Sequence, residues 1–454
     1  MEKDATIGMQ KITGLFDSGS FVEIGAYLKR ENGDLTGAIC GYGAINGKLA
    51  YAFVQDSDRQ KGAFDGLQAK KIGTLYEMAM KNGAPVIGIF DSIGTYVTDG
   101  SVALEAYGKL LSCVGKASGV IPQIALIDGV CSGMAATAAA MFDVVVAVKD
   151  SAKLFVNAPF LIGKEVGTAE YAAENGLSSI TAESAAEAMA CVRNLVDLLP
   201  ANCEDGVAAE ELTDDVNRLV AVEGLSGKAL AEVIADAGIF TEIGSACACE
   251  MVTGLARIGG VCCGIVANNA NENSGVITSE GAKKAAKLIS FCDSFGIPVI
   301  TLIDSEGVAS DAAEEGSPLA AQLGKLAMAY ATADTAKITV VTGKAYGAAF
   351  TLMGSRGLGA DLVYALPDAS VSVMNPEAAV AFLWNDRITE TVTRDDLVEE
   401  WKNTCASAEK AAENGSIDDV IPAAELRARI CSAVYMLMMK RSDGSVRKHC
   451  NLPL

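Results

Sequence analysis

The sequence predicts an α/β protein made of two duplicated domains that share one ββα fold. Three observations lead to this prediction: residues that recur at a constant separation, a composition rich in small and apolar residues, and the same order of strand and helix patterns in each half. The chain has 454 residues, of which 50% are hydrophobic and only 6% aromatic. This length suffices for two domains that each bury a full core.

The recurring residues keep one separation over a long stretch. It is 213 residues between Gly62 and Gly275 and again between Gly94 and Gly307. Between these glycines the following residues recur in the same order: Ala69, Lys70, Lys71, Gly83, Pro85, Val86, Ile87, Asp91 and Ser92 match Ala282, Lys283, Lys284, Gly296, Pro298, Val299, Ile300, Asp304 and Ser305. We therefore expect domains at residues 1–237 and 238–454, with an acidic, helical connector at 164–237 that lies outside the duplication.

The elements of the first copy follow from local patterns. Residues 38–45 and 48–55 alternate in polarity, and Asn46-Gly47 between them favours a hairpin turn. Apolar residues at helical spacing predict a helix over 66–81 that ends near Gly83. Strand, helix, strand, helix and strand are then expected at 85–90, 102–117, 123–127, 134–141 and 144–148. Strands connected by helices form largely parallel sheets, which bind ligands where strand ends meet helix starts.

Charge and hydropathy exclude several classes of protein. The net charge of −21 disfavours binding to nucleic acid and to anionic membrane surfaces. The apolar region 120–148 is interrupted by Pro122, Asp128 and Asp143, so we expect buried sheet and helix and no membrane insertion. The amino terminus lacks the pattern of a secretion signal, which predicts a cytoplasmic protein. Thirteen cysteines, scattered through apolar segments, fit a reducing compartment.

Cysteine spacing and histidine usage narrow the chemistry. The tightest group of cysteines is Cys247, Cys249, Cys262 and Cys263, whose spacing is not that of paired C-x-x-C zinc ligands. Buried thiols are the better interpretation, and no metal is predicted. The only histidine is His449, so a Ser-His-Asp or Cys-His nucleophile would have to recruit this residue near the carboxyl terminus. The chemistry is therefore expected to need no imidazole group.

The strongest candidates for a functional site are Gly133 and Gly347. Each lies between an apolar strand and an Ala-rich helix, at a separation of 214 residues. Amides at a helix start lack intrahelical acceptors, and a small residue lets a ligand carbonyl approach the backbone closely. Two such amides form an oxyanion hole. The alternative is that each glycine merely permits tight packing of strand on helix, but the same arrangement in both copies favours the functional interpretation.

These segments resemble a known family. The stretches GYGAINGKLAYAFVQD, NGAPVIGIFDS and SGVIPQIALIDGVCSGMAA in the first half, and FCDSFGIPVITLIDSEG and KAYGAAFTLMGSRGLGADL in the second, are similar to carboxyltransferase subunits of biotin-dependent acyl-CoA carboxylases and decarboxylases. The resemblance is to the propionyl-CoA carboxylase beta and methylmalonyl-CoA decarboxylase alpha type, and it covers essentially the whole chain. It implies a tandem crotonase-like superhelix, usually assembled as a hexamer, with each active site shared between two subunits.

The resemblance also implies roles for individual residues. The backbone amides of Gly133 and Met134 would bind the thioester carbonyl of acyl-CoA, and those of Gly347, Ala348 and Ala349 the ureido carbonyl of biotin. Further substrate-binding positions are assigned to Asp91, Ser92, Gly94 and Ser132, and cofactor-binding positions to Asp304 and Tyr346. For Asp91 and Asp304, capping of the turn that follows each strand is an equally good interpretation. Lys70 and Lys71 could reach CoA phosphates, although a solvated helix face is the simpler interpretation of both.

The implied reaction moves a carboxyl group between carboxybiotin and a short acyl-CoA, of the acetyl, propionyl, malonyl or methylmalonyl type. The chain lacks a biotinyl-lysine motif, so biotin must arrive on a separate carrier protein. A biotin carboxylase or membrane decarboxylase subunits are the further partners implied. The chain departs from the family pattern at Met134 and Ile93, where glycine is usual, and after Asp304, where Pro-Gly-Phe is usual.

Two alternatives remain open from the sequence. One is a biotin-independent crotonase-type acyl-CoA enzyme, which would need an acid or base such as Asp91 or Glu165. The other is a catalytically weak regulatory paralogue in a carboxylase complex, suggested by the departures near Ile93 and Glu306. The accessible amides expected in both copies count against this second alternative.

Overall fold

The structure, a computed structural model, describes residues 6–30, 33–163, 165–207 and 210–440. The chain divides into two compact units, Met1–Gly206 and Val207–Leu454. This division comes earlier in the chain than the domain boundary that the sequence predicts after Ala237. Among the described residues, no helix combines the length and apolar character that crossing a membrane requires. His449 and the carboxyl-terminal stretch around it lie outside the described residues.

The first unit contains one sheet and the helices that cover it. Its strands are β1 (Val22–Ile24), β2 (Ala38–Ile45), β3 (Lys48–Gln55), β4 (Val86–Ser92), β5 (Gln123–Ser132), β6 (Val144–Val148), β7 (Lys153–Phe155) and β8 (Ile180–Ala182). Its α-helices are α1 (Ile7–Leu15), α2 (Gly66–Asn82), α3 (Ser101–Ala117), α4 (Met134–Ala140), α5 (Pro159–Ile162), α6 (Ala169–Glu174) and α7 (Ala185–Leu198). Short 3-10 helices occupy Gln60–Gly62 and Val97–Asp99.

The second unit repeats this plan. Its strands are β9 (Phe240–Glu242), β10 (Met251–Ile258), β11 (Val261–Asn268), β12 (Val299–Ser305), β13 (Lys337–Tyr346), β14 (Leu362–Ala365), β15 (Ser370–Ser372) and β16 (Asp419–Val420). Its α-helices are α8 (Gly227–Ile234), α9 (Ser279–Ser294), α10 (Ala312–Gly316), α11 (Leu319–Thr332), α12 (Ala348–Leu352), α13 (Pro376–Leu383), α14 (Arg394–Cys405), α15 (Ala408–Glu413) and α16 (Leu426–Leu437). Its 3-10 helices are Asp236–Gly238, Asn273–Gly275, Arg356–Leu358, Asn385–Arg387 and Ala423–Glu425.

The two sheets have one topology. The strand order is β1-β2-β3-β4-β5-β6-β8 in the first and β9-β10-β11-β12-β13-β14-β16 in the second, with β7 beside β5 and β15 beside β13. In each sheet the first two pairings are antiparallel and the others are parallel. The prediction of two duplicated α/β domains is confirmed.

The connector differs from the expectation that it is helical and outside the duplication. Residues 180–182 form β8, which pairs with β6 as β16 pairs with β14. Helix α7 follows β8 as α16 follows β16, and α8 precedes β9 as α1 precedes β1. Most of this segment therefore belongs to the two repeats. Sequence identity between the copies is too low here to reveal the match.

Local chemistry explains the boundaries that the sequence does predict. Asn46 and Gly47 have φ of 50° and 76°, the left-handed conformation of a two-residue hairpin turn. The Asp65 side chain accepts a hydrogen bond from the Gln68 amide and caps α2, which ends at Gly83 with φ of 59°. Apolar residues of β3, β4, β5, α2 and α3 then form a continuous core behind the strand ends.

Candidate functional site

The candidate site of the first unit lies where β4 and β5 end. Their register shifts after Phe90, so that Ser92 pairs with Cys131. The turn after Ser92 therefore lies beside Ser132, and a Cβ atom added to Gly94 would be 3.1 Å from the Ser132 Oγ. In the second unit Ser305 pairs with Ala345 after an equivalent shift. The structure thus places the predicted residues Asp91, Ser92, Gly94, Ser132 and Gly133 on neighbouring strand ends.

Both glycines between strand and helix adopt one unusual conformation. Gly133 has φ 63° and ψ −126°, and Gly347 has φ 57° and ψ −132°. A residue with a side chain would be strained at this φ, which explains glycine at both positions. The conformation turns the chain sharply from the end of the strand into helix α4 or α12.

The amides of these glycines have acceptors within the protein. The N–H of Gly133 donates to the Phe155 carbonyl and that of Gly347 to the Ser372 carbonyl, each at 2.9 Å. Both bonds attach the strand end to the short strand beside it, β7 or β15. The sequence suggested these N–H groups as oxyanion donors, but in this conformation they are already engaged. The following first-turn amides, of Met134 and Ala135 and of Ala348 and Ala349, have no intrahelical acceptor.

Serine and aspartate support the turn that faces each helix start. The Ser92 Oγ accepts from the Gly94 amide at 3.1 Å, and the Ser305 Oγ from the Gly307 amide at 3.2 Å. Both serines are fully buried, so they shape the turn from within. A serine side chain that accepts from the amide two residues further along the chain is typical of such turns.

The paired aspartates approach the backbone of the next strand. An Asp91 carboxylate oxygen accepts from the Val130 amide at 3.3 Å, and an Asp304 oxygen from the Lys344 amide at 2.9 Å. Gly129 and Gly343 make room for them, since a Cβ atom there would lie 2.2 and 2.3 Å from the carboxylate oxygens. Asp91 and Asp304 therefore brace the strand ends.

Charged neighbours distinguish the two copies. In the first, Lys11 of α1 lies between Asp91 and Asp128. In the second, the Lys344 ammonium group contacts Glu306 at 2.7 Å, and this hydrogen bond raises the pKa of Lys344. The sequence reasoning missed Lys11, because nothing in the local pattern connects a residue of α1 with strand ends that follow much later in the chain.

A cavity of about 540 Å³ adjoins the second helix start. Gly347 and Ala348 form part of its wall. The remaining lining residues come from α12, β15 and the region of α14 and α15: Phe350, Thr351, Val371, Ser372, Val373, Cys405, Ala411, Asn414 and Ser416. Tyr346 is buried, and its hydroxyl lies 3.4 Å from the Ser370 Oγ. The lining combines aromatic, hydroxyl and amide groups, which suits a small ring with polar edges.

The two candidate lysines of α2 have opposite environments. Lys71 is buried, and its ammonium group lies 3.0 Å from both the Glu23 carboxylate and the Ala38 carbonyl. Lys70 is exposed. A direct contact between Lys71 and a CoA phosphate is thus incompatible with this arrangement, because the ammonium group is enclosed by the protein. Only Lys70 has a side chain open to solvent.

The cysteines of the second unit have differing exposure. Cys247, Cys262 and Cys263 are buried, whereas Cys249 is exposed. Burial raises the pKa of Cys263 well above its usual value, which keeps the thiol protonated. Over the part of the chain that the structure describes, no three His, Cys, Asp or Glu side chains are grouped to hold a metal ion.

Comparison with known proteins places these features in context. Residues 2–452 match the family described as the carboxyl transferase domain. A putative propionyl-CoA carboxylase beta chain of Bacillus subtilis is 34% identical, over 100% of this chain and 94% of the relative. The methylmalonyl-CoA decarboxylase subunit alpha of Veillonella parvula is 33% identical, over 98% and 92%.

A similar solved structure is the transcarboxylase 12S hexamer with methylmalonyl-coenzyme A and methylmalonic acid bound. It superposes with a TM-score of 0.92 at 32% identity, over 98% of this chain and 92% of that one. The tandem crotonase-like fold expected from the sequence is confirmed by this likeness.

Proposed function

Because the chain belongs to the carboxyl transferase family, we propose that it moves a carboxyl group between biotin on a separate carrier protein and a short acyl-CoA. It is an acyl-CoA carboxyltransferase of the biotin-dependent class. Relatives named for propionyl-CoA and methylmalonyl-CoA support an acyl group of that size.

The observation that carries the proposal is the pair of helix starts at Met134 and Ala348. They occupy equivalent places in the two copies, and each follows a glycine with φ near 60°. We assign the thioester oxygen to the Met134 and Ala135 amides, and the ureido oxygen of biotin to the Ala348 and Ala349 amides. Such donors stabilise the charge that develops on an oxygen in the transition state, and removing one commonly costs about 3 kcal/mol.

The neighbouring side chains hold these amides in place. Ser92 and Asp91 brace the first strand end, and Ser305 and Asp304 the second. The engaged amides of Gly133 and Gly347 orient the helix starts by attaching them to β7 and β15. Met134 is 37% exposed at the start of α4, and we propose that its side chain limits the size of the acyl group. No side-chain base takes part in this scheme.

The cavity beside Ala348 suits the biotin ring. Its volume of about 540 Å³ and its mixed lining, with Phe350, Ser372 and Asn414, fit a small bicyclic group with a polar ureido edge. When bound, biotin supplies a nitrogen that carries the carboxyl group. The chain's own residues bind the ureido oxygen, orient the ring and shield it from water.

We further propose that the protein is a homo-oligomer, and specifically a hexamer. Phe160 of α5 and Phe382 of α13 are 85% and 82% exposed and lie on the corresponding helices that follow β7 and β15. Their neighbours Leu161, Ile162 and Leu383 are exposed as well, and contiguous exposed apolar side chains mark interaction surfaces. The similar transcarboxylase 12S assembles as a hexamer. A biotin carrier, with a biotin carboxylase or membrane decarboxylase subunits, completes the proposed complex, and a cytoplasmic location suits these partners.

The test is biotin-dependent transfer of label. The protein is incubated with methylmalonyl-CoA labelled in its free carboxyl group, with the biotinylated carrier that copurifies from its source. We expect label on the carrier and propionyl-CoA as the product. Without biotin we expect neither a labelled carrier nor propionyl-CoA. Turnover that continues without biotin would favour the crotonase-type alternative. Binding of acyl-CoA without turnover, in the presence of carrier, would favour the regulatory paralogue.

A further inference from the structure

A lysine connects the two strand ends of the acyl-CoA site. The Lys11 ammonium group lies 3.3 Å from an Asp91 carboxylate oxygen and 3.1 Å from one of Asp128. It also donates to the Asp128 backbone carbonyl at 2.5 Å. All three side chains are largely buried, with exposed fractions of 16% for Lys11 and Asp91 and 9% for Asp128. Charge pairs in such partly desolvated places interact more strongly than exposed pairs.

Each carboxylate also holds a second group. Asp91 accepts from the Val130 amide at 3.3 Å, and Asp128 accepts from the Ser151 hydroxyl at 2.6 Å. Asp91 directly precedes the Ser92 turn, and Asp128 lies on β5, shortly before Gly133. Lys11 therefore joins the two segments that carry the proposed thioester site. Without its charge, two carboxylates would face each other across the same space.

The second copy provides an internal comparison. The position equivalent to Asp128 is Thr342, whose hydroxyl donates to the Ile303 carbonyl at 3.1 Å. Asp304 retains the backbone contact that Asp91 makes. The second copy thus has one carboxylate at this place instead of two, and the lysine near it, Lys344, pairs with Glu306. The lysine and the extra aspartate occur together in the first copy only.

We infer that Lys11 is a positioning residue of the acyl-CoA site. Its ammonium group holds the ends of β4 and β5 together, so that the turn at Gly94 and the amides of Met134 and Ala135 keep the spacing that the thioester oxygen requires. The inference rests on the proposed assignment of the thioester to this site. Lys11 acts through Asp91 and Asp128 and does not contact the substrate.

Three variants test the inference in the full-length protein. Lys11→Met should lower kcat/KM for carboxyl transfer at least tenfold, whereas the affinity for free CoA, which lacks the thioester, should change less than threefold. Lys11→Arg should restore most of the activity, because arginine keeps the charge. The double variant Lys11→Met with Asp128→Thr should also recover most of it, since it leaves a single carboxylate facing a threonine, as in the second copy.

The matched control is Lys48→Met. Lys48 contacts the Asp197 carboxylate at 3.5 Å and its carbonyl at 2.5 Å, but it begins β3 and lies away from the carboxyl ends of β4 and β5. It should keep wild-type kcat/KM. Thermal unfolding of every variant identifies a temperature at which all are folded, and activities are compared there.

A second measurement is independent of carboxyl transfer. Methylmalonyl-CoA should protect the wild type against heat more than free CoA does, because only the ester has the thioester oxygen. Lys11→Met should lose this difference, and the double variant should regain it, even if no carboxyl transfer is detected in any form. The inference is overturned if Lys11→Met retains both kcat/KM and the difference, or if Asp128→Thr rescues neither.

Discussion

At the scale of single residues, neighbouring lysines on α2 are predicted to have separate effects. Lys71→Met removes the largely buried ion pair with Glu23, and breaking a pair in such a place costs about 3 kcal/mol. KM for acyl-CoA should not change. Lys70→Met should leave stability unchanged and raise KM if the exposed lysine meets a CoA phosphate. Urea unfolding and steady-state kinetics measure both quantities. A Lys71→Met protein with normal stability and raised KM would contradict the structure.

The residue scale also shows a limit of sequence reasoning. The repeat identifies Gly133 and Gly347 as special, and the positive φ explains why both are glycine. The repeat does not show which backbone amides lack an acceptor within the protein. That depends on the Phe155 and Ser372 carbonyls, which reach the glycines from β7 and β15. Pairing between strands is set by tertiary structure, so no local pattern predicts it.

At the scale of elements, each hairpin turn is held by an aspartate and an arginine. Asp17 accepts from the amides of Asn46 and Gly47 and pairs with Arg193 of α7 at 2.7 Å. In the second unit Asp236 accepts from the amides of Gly259 and Gly260 and pairs with Arg427 of α16. The arrangement fixes the first hairpin of each sheet to the last helix of the repeat.

Each of these Asp–Arg pairs is a clamp between a hairpin and a helix, and the two clamps should differ in strength. Arg427 is fully buried, and Arg427→Met should lower the free energy of unfolding by about 3–5 kcal/mol, because Asp236 is then left buried without its cation. Arg193→Met should have a much smaller effect, since both partners are partly exposed. Chemical denaturation of the two variants checks this order. Equal effects would show that burial does not determine the contribution of the clamp.

Acid should weaken the first clamp in a defined direction. Hydrogen bonds from the Gly47 amide and then from Arg193 hold the pKa of Asp17 below its ordinary value. Its stabilising contribution is therefore present above the pKa of the unfolded chain and is lost as the pH falls through the folded value. Arg193→Met should reduce this acid dependence.

Elements with strong local chemistry were predictable, and those without it were not. The hairpin 38–45 and 48–55 was located to the residue, because the turn at Asn46-Gly47 and the alternation agree. Strand β5 extends to Ser132, beyond the predicted end at 127, because its last residues pair with β7. Strand β8 was missed, since three residues in an acidic segment carry no strand signal of their own.

At the scale of the whole molecule, the two copies share a topology and differ in the chemistry of their strand ends. The first has apolar Ile93 and Val130 where the second has the ion pair of Glu306 and Lys344. The shared backbone is what lets one fold provide the two oxyanion sites that we propose. The different side chains at the strand ends are consistent with the two ligands proposed, an acyl-CoA in the first copy and biotin in the second.

In the proposed mechanism each copy supplies its own set of amides. This is tested most directly by placing proline at the equivalent positions 134 and 348. Each is the first residue of its helix, where proline is tolerated because the amide has no intrahelical acceptor. Gly133→Pro would not serve, since the φ of Gly133 is 63° and proline requires about −65°. Met134→Ala and Ala348→Met keep the amide and are the matched controls.

The measurement is carboxyl transfer to the biotinylated carrier, together with the extra thermal protection that methylmalonyl-CoA gives over free CoA. Both proline variants should lose about 100-fold or more in transfer. Only Met134→Pro should lose the extra protection, whereas Ala348→Pro should keep it in full. Loss of protection in Ala348→Pro, or unchanged transfer in either folded proline variant, would contradict the assignment of one oxyanion site to each copy.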